Sequence, residues 1–453
     1  MTTPPGATSL LVRDTPLIIL ANFVSEVTAS LQAREVMLRG MVQAPRKIWL
    51  TRPGDVVVTP VPVSDAFRSY ACELLGFDPA MLDVVTVPTD PATTLSEAVH
   101  RAGLVDPLRD LIADRPGVAL LPTTLDRAAV GLAAELGVLV HPYGPAGVPD
   151  SALEVARRLN TKAGFRELAR KLGVRVPDGR FCTGGTELAD VVRELLGDHP
   201  RVAVKPNRSA GGEGFRVLSR TDLPDLDASL TACAAAAGMA PEGWVVEEHV
   251  DFIRDVSVQL EVEGGGLRVL FSGEMRTTDG SFCGYRAPLH DVPRQTRREL
   301  EQGGLAFGAY LAERGYLGPF DIDAGLTADG TLYATESNVR HTATSTPAAL
   351  VHRLLPPSYP GTPTWLVGCR PATVRHDFAQ ALRLLQRAHL AYDPYRVEGV
   401  VLHTGAPADD NTWRYTIIGP DRTRVEQIDT ELTDVLKMGH GSGGFPRRYS
   451  LSR

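Results

Sequence analysis

The sequence lacks the features that mark several large classes of protein. Its five cysteines are scattered along 453 residues and none forms a CxxC pair, so neither a disulfide framework nor a cysteine-based zinc site is expected. No apolar run approaches the ~18–20 residues of a membrane span, and the run Leu17–Leu20 is too short for the core of a signal peptide. The net charge of −7 provides no basic excess for nucleic acid. We therefore expect a cytoplasmic globular protein with neither nucleic acid nor membrane as its partner.

Two standard phosphate-binding motifs are also missing. No glycine-rich fingerprint follows the first apolar run, and the GK[ST] ending of a Walker A loop is absent. The stretch 439–444 formally fits GxGxxG, but it lies nine residues from the end of the chain and leaves no room for the helix and strand that the motif requires. We interpret this stretch as a flexible tail.

The hydrophobic pattern predicts an α/β region followed by α+β regions. Short apolar runs alternate with amphipathic stretches at 17–20, 47–50, 84–87, 118–121 and 138–140, which is typical of a mostly parallel sheet. Turn-forming residues at 141–149 predict a boundary. Beyond it, helices are predicted at 151–158, 163–172, 294–314 and 374–388. Strands are predicted at 201–205, 244–247, 397–402 and 413–418, with a hairpin formed by 256–262 and 267–271.

An acidic hairpin late in the chain is the most informative segment. Asp329-Gly330, flanked by alternating apolar residues, predicts a two-residue hairpin loop. In that register Asp323 faces Glu336, and Asp321 faces Asn338, on one face of the strand pair. Like charges directly opposite each other destabilise a sheet, and Mg²⁺ bound between carboxylates and substrate phosphates removes that penalty. The segment predicts either a metal site or a solvated acidic edge.

A lysine followed by a glycine-rich loop is a second motif. Lys205 ends the predicted strand 201–205, and the loop that follows contains Ser209, Gly211, Gly212 and Gly214. Glycines allow backbone amides to approach phosphate oxygens closely, and the lysine adds a positive charge. Taken alone, the same pattern also fits a surface turn.

Two further positions carry information only in combination with these motifs. The stretch 244–250 is an apolar strand that ends in Glu247 and Glu248, where backbone groups and the Glu247 carboxylate could meet the edge of an adenine. Read without its context, it fits an ordinary strand end with exposed acids better. Lys162, just before the predicted helix 163–172, is by itself a solvated lysine.

In order and spacing, these four signals resemble the ATP-grasp superfamily, whose fold holds ATP between two α+β subdomains. They are Lys162, then Lys205 with its glycine loop, then the strand 244–250, then the hairpin ending in Glu336-Ser337-Asn338-Val339-Arg340. The resemblance implies ATP and Mg²⁺ as cofactors. It also implies a fold of α/β and α+β units: a Rossmann-like pre-ATP-grasp domain (1–150), the ATP-grasp domain (151–365) and a small α+β C-terminal domain (366–453).

The same resemblance implies roles for individual residues. Nucleotide phosphates would contact Lys162 and Lys205, and the lid loop would comprise Ser209, Gly211, Gly212 and Gly214. Adenine would be bound by Glu247 and the backbone of Glu248 and Val250, with Asp255 near the ribose. Mg²⁺ would be held by Asp323, Glu336 and Asn338, and Arg340 and Lys205 would stabilise the transferred phosphate.

The loop 205–214 and the ending Asn338-Val339-Arg340-His341-Thr342 are similar to a narrower group, the ATP-grasp peptide ligases that carry a pre-ATP-grasp domain and their own C-terminal domain. This resemblance implies an ADP-forming ligase that makes a peptide bond through an acyl phosphate in natural-product (antibiotic) biosynthesis. Its partners would be a carboxylic-acid donor that bears a guanidino group and the amino terminus of a peptide acceptor. The alternatives are an ATP-grasp ligase or carboxylase acting on a small metabolite, and a non-catalytic nucleotide-binding sensor.

Other roles stay open at the level of sequence. Arg276 and Arg286 fall in a polar loop predicted at 273–291, where they either bind the donor carboxylate or are solvated. Glu213, His290 and His341 are each a hypothesis for the general base, and each also fits a structural role. The residues from 366 onward are expected to shape the peptide-acceptor cleft or the interface of a homodimer.

Overall fold

The computed structural model describes residues 8, 10, 13, 15–28, 38, 40–90, 92–209, 212, 214–236, 242–278, 281–356, 358–405 and 411–439. Gly211 and Glu213 of the glycine loop, and the stretch 440–444 of the GxGxxG match, lie outside these residues. The strands of the described part form three sheets. None of its helices combines the length and the apolar character that crossing a membrane requires.

The N-terminal sheet is parallel, with strand order β3-β2-β1-β4-β5. Its strands are β1 (Leu17–Leu20), β2 (Val56–Thr59), β3 (Asp83–Thr86), β4 (Ala119–Pro122) and β5 (Leu139–Val140). The helices are α1 (Asp65–Leu75), α2 (Leu95–Arg101), α3 (Val105–Ile112) and α4 (Arg127–Leu136). Because Ile18 and Leu20 belong to one hydrophobic core and Leu17 and Ile19 to another, both faces of the sheet are covered, as in βαβ folds.

One predicted strand of this region is wrong. The segment predicted as a strand at 47–50 belongs to a buried 3₁₀ helix, Ala44–Leu50, and the second strand is β2 instead. A short apolar run has no periodicity that separates a strand from a helical turn. The β-branched run Val56-Val57-Val58 carried the stronger strand signal.

The middle of the chain forms an antiparallel sheet with strand order β6-β9-β7-β8 and its own hydrophobic core. Helices α5 (Asp150–Leu159) and α6 (Lys162–Lys171) precede it. Its strands are β6 (Gly179–Cys182), β7 (Arg201–Pro206), β8 (Arg216–Ser219) and β9 (Trp244–Glu248), and its helices are α7 (Thr186–Asp198) and α8 (Leu226–Ala236).

The largest sheet is antiparallel, with strand order β14-β13-β10-β11-β12-β15-β17-β16. Its strands are β10 (Arg254–Glu263), β11 (Gly266–Thr278), β12 (Ser281–Ala287), β13 (Gly318–Leu326), β14 (Leu332–Asn338), β15 (Thr364–Pro371), β16 (Gly399–Leu402) and β17 (Thr412–Gly419). The associated helices are α9 (Arg294–Ala312), α10 (Ser345–Leu354), α11 (Phe378–Arg387) and α12 (Arg422–Val435).

The two faces of this sheet differ in chemistry. Helix α9 packs against the face that carries Val258 and Leu260; a Cβ on its Gly304 would come within 2.7 Å of Leu260. The alternating residues Ser257 and Gln259 point to the opposite face, in register with Asp323 and Asp321 of β13. The polar face, from which α9 is absent, therefore contains the acidic residues of the hairpin.

The C-terminal strands join the same sheet. β12 pairs with β15, which pairs with β17, so the expected C-terminal piece extends the central sheet instead of forming a sheet of its own. The expected boundary at 365–366 falls within the first residues of β15. The expected domain limits themselves stay a prediction.

Candidate active site

The acidic hairpin has the expected register at its functional positions. Asp323 lies opposite Glu336 and Asp321 lies opposite Asn338, all on the polar face of the sheet. The amide nitrogen of Asn338 donates to Asp321 Oδ1 at 2.9 Å and to Asp323 Oδ2 at 3.3 Å. Four polar side chains of two strands are thus brought into direct contact.

The register arises differently from the prediction. The loop has three residues, not two: Thr327 and Thr331 are joined by a hydrogen bond of 3.0 Å, and Gly330 adopts φ +85°. This shifts the first pairs by one residue, so that Leu326 lies opposite Leu332. An irregularity between Asp323 and Ala324 then returns the ladder to the predicted pairs. The predicted two-residue loop was wrong, and a β-bulge compensates for it.

The carboxylates of this cluster differ in their electrostatics. Burial, reinforced by Asp321 and Glu336, raises the pKa of Asp323 well above its ordinary value. Burial also raises the pKa of Asp321 to about 6, although hydrogen bonds from Gln259 and Asn338 oppose the change. Burial alone would raise the pKa of Glu336 as well, but Lys162, Lys205 and Arg340 together hold it below its ordinary value. Negative charge is therefore crowded at the aspartates and compensated at Glu336.

This arrangement fits a divalent cation that is completed by a second ligand. In the described part of the chain, no group of three or more His, Cys, Asp or Glu side chains forms a ready-made cage for a metal. Mg²⁺ does not require one, because it typically takes one or two carboxylates and fills its remaining positions with waters and substrate phosphates. The buried carboxylate of Asp323 and the partly exposed carboxylate of Glu336 face each other and repel, which makes the pair chemically suited to such an ion.

Lys162 connects the hairpin with the glycine loop. It is the first residue of α6, whose N-cap Thr161 accepts from Gly164 N–H, so the helix start fixes its position. Its Nζ lies 3.1 Å from Ser209 Oγ and 3.3 Å from Glu336 Oε2. The lysine that looked solvated in isolation therefore bridges two of the sequence motifs.

Lys205, near the end of β7, is a second cation whose charge acts on Glu336. Its Nζ forms an ion pair with Glu247 of the neighbouring strand β9, and Arg166 of α6 pairs with the second oxygen of that carboxylate. Glu247 and Arg166 are both buried, at 3% and 4% exposure. The predicted adenine-binding Glu247 thus contacts two cations of the protein.

The remaining nucleotide-binding predictions lie along the path from β9 to β10. The side chain of Glu248 accepts from the backbone of Asp178 at 2.9 Å, and Val250 follows it in the segment that joins the two sheets. Asp255, near the start of β10, accepts from Thr277 Oγ1 at 2.8 Å and lies on the same face as Asp323. Gly212 and Gly214 both adopt positive φ, which glycine tolerates without strain.

Arg340 lies two residues beyond the end of β14. Its Nη1 donates to Asn160 Oδ1 at 2.6 Å, and Asn160 Oδ1 also accepts from Val339 N–H at 3.2 Å. With His341 it lines a cavity between the N-terminal sheet and β13. The guanidinium is therefore held beside the acidic cluster.

The polar loop predicted around Arg276 and Arg286 was wrong, and their role in binding the donor carboxylate stays a prediction. The segment expected as a polar loop at 273–291 contains the end of β11 and the whole of β12. Arg286 lies in register with Glu274 and Val256, on the face opposite Asp323. The structure does not bring either arginine to the acidic cluster, because both form ion pairs elsewhere. Local sequence cannot reveal the acidic partners that α12 supplies. Those partners are Asp429 at 3.2 Å from Arg276, and Glu426, with Glu274 as a further partner of Arg286.

The two histidines considered as the general base lie in different surroundings. His341 lines the cavity beside Arg340, whereas His290 lies beyond β12 and its carbonyl accepts from Arg254. Burial, with smaller contributions from Lys47 and His141, lowers the pKa of His341 well below its ordinary value. Its imidazole is therefore neutral at physiological pH.

Sequence reasoning missed three residues that organise the site. Arg166 neutralises Glu247, Asn160 holds Arg340, and Gln259 donates to Asp321 Oδ2 at 2.8 Å. Gln259 was detectable as a polar residue on the same face as the metal candidates, once β10 had been paired with β13. Nothing local marked Arg166 or Asn160.

Similarity to known proteins supports this architecture. Residues 44–138 match the family model described as "Pre ATP-grasp domain", and residues 380–432 match the model described as "PGM1 C-terminal domain". No curated protein has a significantly similar sequence.

Solved structures extend the likeness over nearly the whole chain. The L-amino acid ligase from Bacillus licheniformis has a TM-score of 0.52 at 15% identity, covering 95% of this chain and 99% of that chain. The ADP complex of N5-carboxyaminoimidazole ribonucleotide synthetase has a TM-score of 0.56 at 15% identity, covering 92% and 96%. The biotin carboxylase domain of Hydrogenobacter thermophilus 2-oxoglutarate carboxylase, solved with MgADP, has a TM-score of 0.57 at 13% identity, covering 94% and 91%.

At these identities the likeness establishes the fold alone. The chain has the ATP-grasp fold, with a pre-ATP-grasp domain before it and a further region after it, and the expected fold class is confirmed.

Proposed function

We propose that this protein is an ATP-dependent carboxylate–amine ligase that forms a peptide bond through an acyl phosphate. The observation that carries the proposal is the bridge that Lys162 forms between Ser209 and Glu336. It joins the predicted phosphate loop to the predicted metal residues, so one bound triphosphate can contact both. Lys205 and Arg340 also lie near Glu336, and their positive charges help Lys162 to hold the pKa of Glu336 below its ordinary value.

The chemistry follows from the properties of a carboxylate. An amine does not displace oxide from a carboxylate at neutral pH, so the acid must first be given a better leaving group. Transfer of the γ-phosphoryl group of ATP to the donor carboxylate forms an acyl phosphate and releases ADP. The acceptor amine then attacks the acyl carbon, the C–O bond to phosphate breaks, and inorganic phosphate leaves with the bond electrons.

The protein contributes position and charge. Lys162, Lys205 and Arg340 bind phosphate oxygens and stabilise the negative charge of the transferred group. Asp323, Glu336 and Asn338 would hold Mg²⁺, which supplies further neutralisation of the phosphates when bound. Closure of the loop that contains Ser209 and Gly214 would exclude water, which otherwise hydrolyses the acyl phosphate.

We propose a donor that is a guanidino-bearing amino-acid derivative and an acceptor that is the amino terminus of a peptide, as in the peptide ligase of pheganomycin biosynthesis, which the sequence resembles. The match of residues 380–432 to a C-terminal domain model of its own is consistent with a specialised ligase. The setting we propose is antibiotic biosynthesis in the cytoplasm.

A second function from the same fold is a ligase or carboxylase for a small metabolite, since the solved structures that resemble the chain include a synthetase and a carboxylase domain. A sensor that binds nucleotide without catalysis is disfavoured by the presence of both lysines together with Asp323 and Glu336.

One experiment separates the three functions. The protein is incubated with ATP and Mg²⁺ and a panel of carboxylic acids that includes guanidino amino acids and bicarbonate, with and without dipeptides. Products are weighed by mass spectrometry, and ADP is measured. A new amide that appears only with acid and peptide together supports the peptide ligase. A carboxylated or single-substrate product supports the metabolite enzyme, and binding without turnover supports the sensor.

A further inference from the structure

A buried lysine of the pre-ATP-grasp domain lies at the beginning of helix α10. Lys47, in the 3₁₀ helix Ala44–Leu50, is only 1% exposed. Its hydrogen bond goes to the neutral hydroxyl Oγ1 of Thr346, at the outer limit of 3.5 Å. Within the part of the chain that the structure describes, no carboxylate pairs with it. A buried cation without a counter-charge is costly, so the position calls for a functional explanation.

The helix that Lys47 meets is also incomplete at its N-terminus. α10 runs for ten residues from Ser345, and the side chain of its N-cap Thr344 forms no capping hydrogen bond. The first-turn amides of Thr344, Ser345 and Thr346 have no protein acceptor among the described residues. The helix start is nevertheless buried, since Thr344 and Thr346 are 3% and 1% exposed. Buried, unsatisfied N–H groups at a helix start form an anion-binding site, and the helix dipole adds to it.

The surroundings of Lys47 are cationic and aromatic instead of acidic. The Phe23 ring, just after the end of β1, lies 5.3 Å from Lys47 Nζ and 4.9 Å from the guanidinium carbon of Arg46. Ligands of parallel sheets bind at the carboxyl ends of the strands, which is where Phe23 lies. Burial, with Arg46 adding to it, lowers the pKa of Lys47 well below its ordinary value. An anion bound here would reverse that effect.

A chain of hydrogen bonds connects the helix start to the acidic cluster. Gln259 donates to Asp321 Oδ2 at 2.8 Å, and its Oε1 accepts from Thr342 Oγ1 at 3.1 Å. Thr342 N–H in turn donates to Ser345 Oγ at 2.8 Å. Arg340 and the N-cap Thr344 are four positions apart in sequence. The helix start is therefore separate from the metal residues and is connected to them through three consecutive hydrogen bonds.

We propose that Lys47 and the N-terminus of α10 bind the free carboxylate of the amine acceptor, which must then be an amino acid or short peptide with an unmodified C-terminus. This inference rests on the proposed ligase function. The donor carboxylate is consumed beside Arg340 during phosphorylation, whereas the acceptor carboxylate survives the reaction and needs a site of its own. Ser345, the first residue of α10, also lines a small cavity together with Ala348, Ala349 and Phe271.

The test compares acceptors that differ only in this group. A donor identified in the product screen is combined with dipeptides supplied as free acids and with the same dipeptides as C-terminal amides. Wild-type protein is compared with Lys47→Met, and Lys171→Met, an exposed lysine at the end of α6, is the matched control. We expect wild type and Lys171→Met to prefer the acid. In Lys47→Met the KM for the acid should rise at least about thirtyfold, since a buried charge partner is lost, while the KM for the amide should stay within about threefold of wild type.

Hydroxylamine separates a failure of this inference from a failure of the ligase proposal. It traps an acyl phosphate as a hydroxamate and carries no carboxylate, so Lys47→Met should continue to form hydroxamate. If wild type forms none with any acid, the ligase proposal fails. If hydroxamate formation collapses in Lys47→Met, the lysine binds the donor, and the acceptor assignment is overturned.

The melting temperature of Lys47→Met and the acceptor preference of the wild type show whether a folding defect explains the result. Removal of an unpaired buried cation should leave the melting temperature of Lys47→Met equal to or above that of wild type. Should the variant nevertheless fail to fold, wild type alone decides the matter. A wild-type enzyme that uses acid and amide acceptors equally well contradicts the proposal.

Discussion

At the scale of single residues, the two facing carboxylates of the hairpin have opposite electrostatic roles. Glu336 is held ionised by Lys162, Lys205 and Arg340, whereas burial and neighbouring acids oppose ionisation of Asp323. The register of the hairpin alone predicts that neutralising either residue relieves repulsion. The ion pair between Lys162 and Glu336, at 3.3 Å, changes this expectation for Glu336.

Glu336→Gln should reduce ligase activity by on the order of 10²–10³, because a charge-stabilising group of the phosphate site is lost. In the wild-type protein, folding lowers the pKa of Glu336, so the ionised carboxylate stabilises the protein above the unfolded pKa. This contribution is lost as pH falls through the folded pKa. The melting temperature without Mg²⁺ at pH 7 should therefore hold or fall slightly. Steady-state ADP release and thermal unfolding measure the two effects.

Asp323→Asn should reduce activity to a similar degree but raise the melting temperature without Mg²⁺ at pH 7. The folded state disfavours the Asp323 charge, so its removal relieves a penalty. The matched control is Asp329→Asn in the exposed hairpin loop, which should leave activity within about twofold of wild type. An active Asp323→Asn variant, or equal effects of the two aspartate substitutions, would refute the metal-site assignment.

At the scale of elements, the sequence predicted the strands that carry the site better than the contacts around them. The alternation along β10 and the Asp329-Gly330 signal located the acidic face, even though the loop length was wrong, because the β-bulge restored the register. β12 and the partners of Arg286 could not be predicted. Arg286 of β12 pairs with Glu426 of α12, which lies 140 positions later in the chain and has no local signal. The 3₁₀ helix Ala44–Leu50 was mistaken for a strand, so the position of Lys47 was also hidden.

Gly368→Ala in β15 should lower the free energy of unfolding by about 1–3 kcal/mol, because an added Cβ would overpack the sheet. That Cβ would come within 2.3 Å of the Tyr415 ring, which β17 holds over the glycine. Gly264→Ala, in a hairpin turn where a Cβ would meet nothing within 4 Å, is the control and should change stability by less than about 0.5 kcal/mol. Urea unfolding measures both, and equal stabilities would contradict the packing of β15 against β17.

At the scale of the whole molecule, the C-terminal strands are an integral part of the central sheet. β15 pairs with β12, and the rings of Tyr285 and Trp365 lie 5.8 Å apart across this junction. The C-terminal region also contacts the N-terminal domain, where Trp49 Nε1 donates to the carbonyl of His403 at 3.2 Å. Sequence patterns predicted these strands but not their sheet, because strand pairing between distant segments has no local signal.

A protein truncated after residue 363 should therefore be insoluble or fail to unfold cooperatively. Loss of β15 leaves β12 as an edge strand and exposes the apolar surface beside Tyr285. Truncation after residue 439 removes none of the described contacts, so the shortened protein should keep its solubility and its affinity for ATP. Gel filtration and thermal unfolding distinguish the two, and a soluble, active protein ending at residue 363 would contradict the shared sheet.

The acyl-phosphate mechanism determines the route of one oxygen atom. If the donor carboxylate attacks the γ-phosphorus of ATP, one of its oxygens must leave with phosphate when the amine attacks. The measurement uses a donor with both carboxylate oxygens labelled with ¹⁸O, wild-type protein, ATP, Mg²⁺ and an acceptor, followed by mass spectrometry of the products. We predict one ¹⁸O in inorganic phosphate, one in the new amide, and ADP in equal amount. Label in AMP, with release of pyrophosphate, would contradict the acyl-phosphate mechanism.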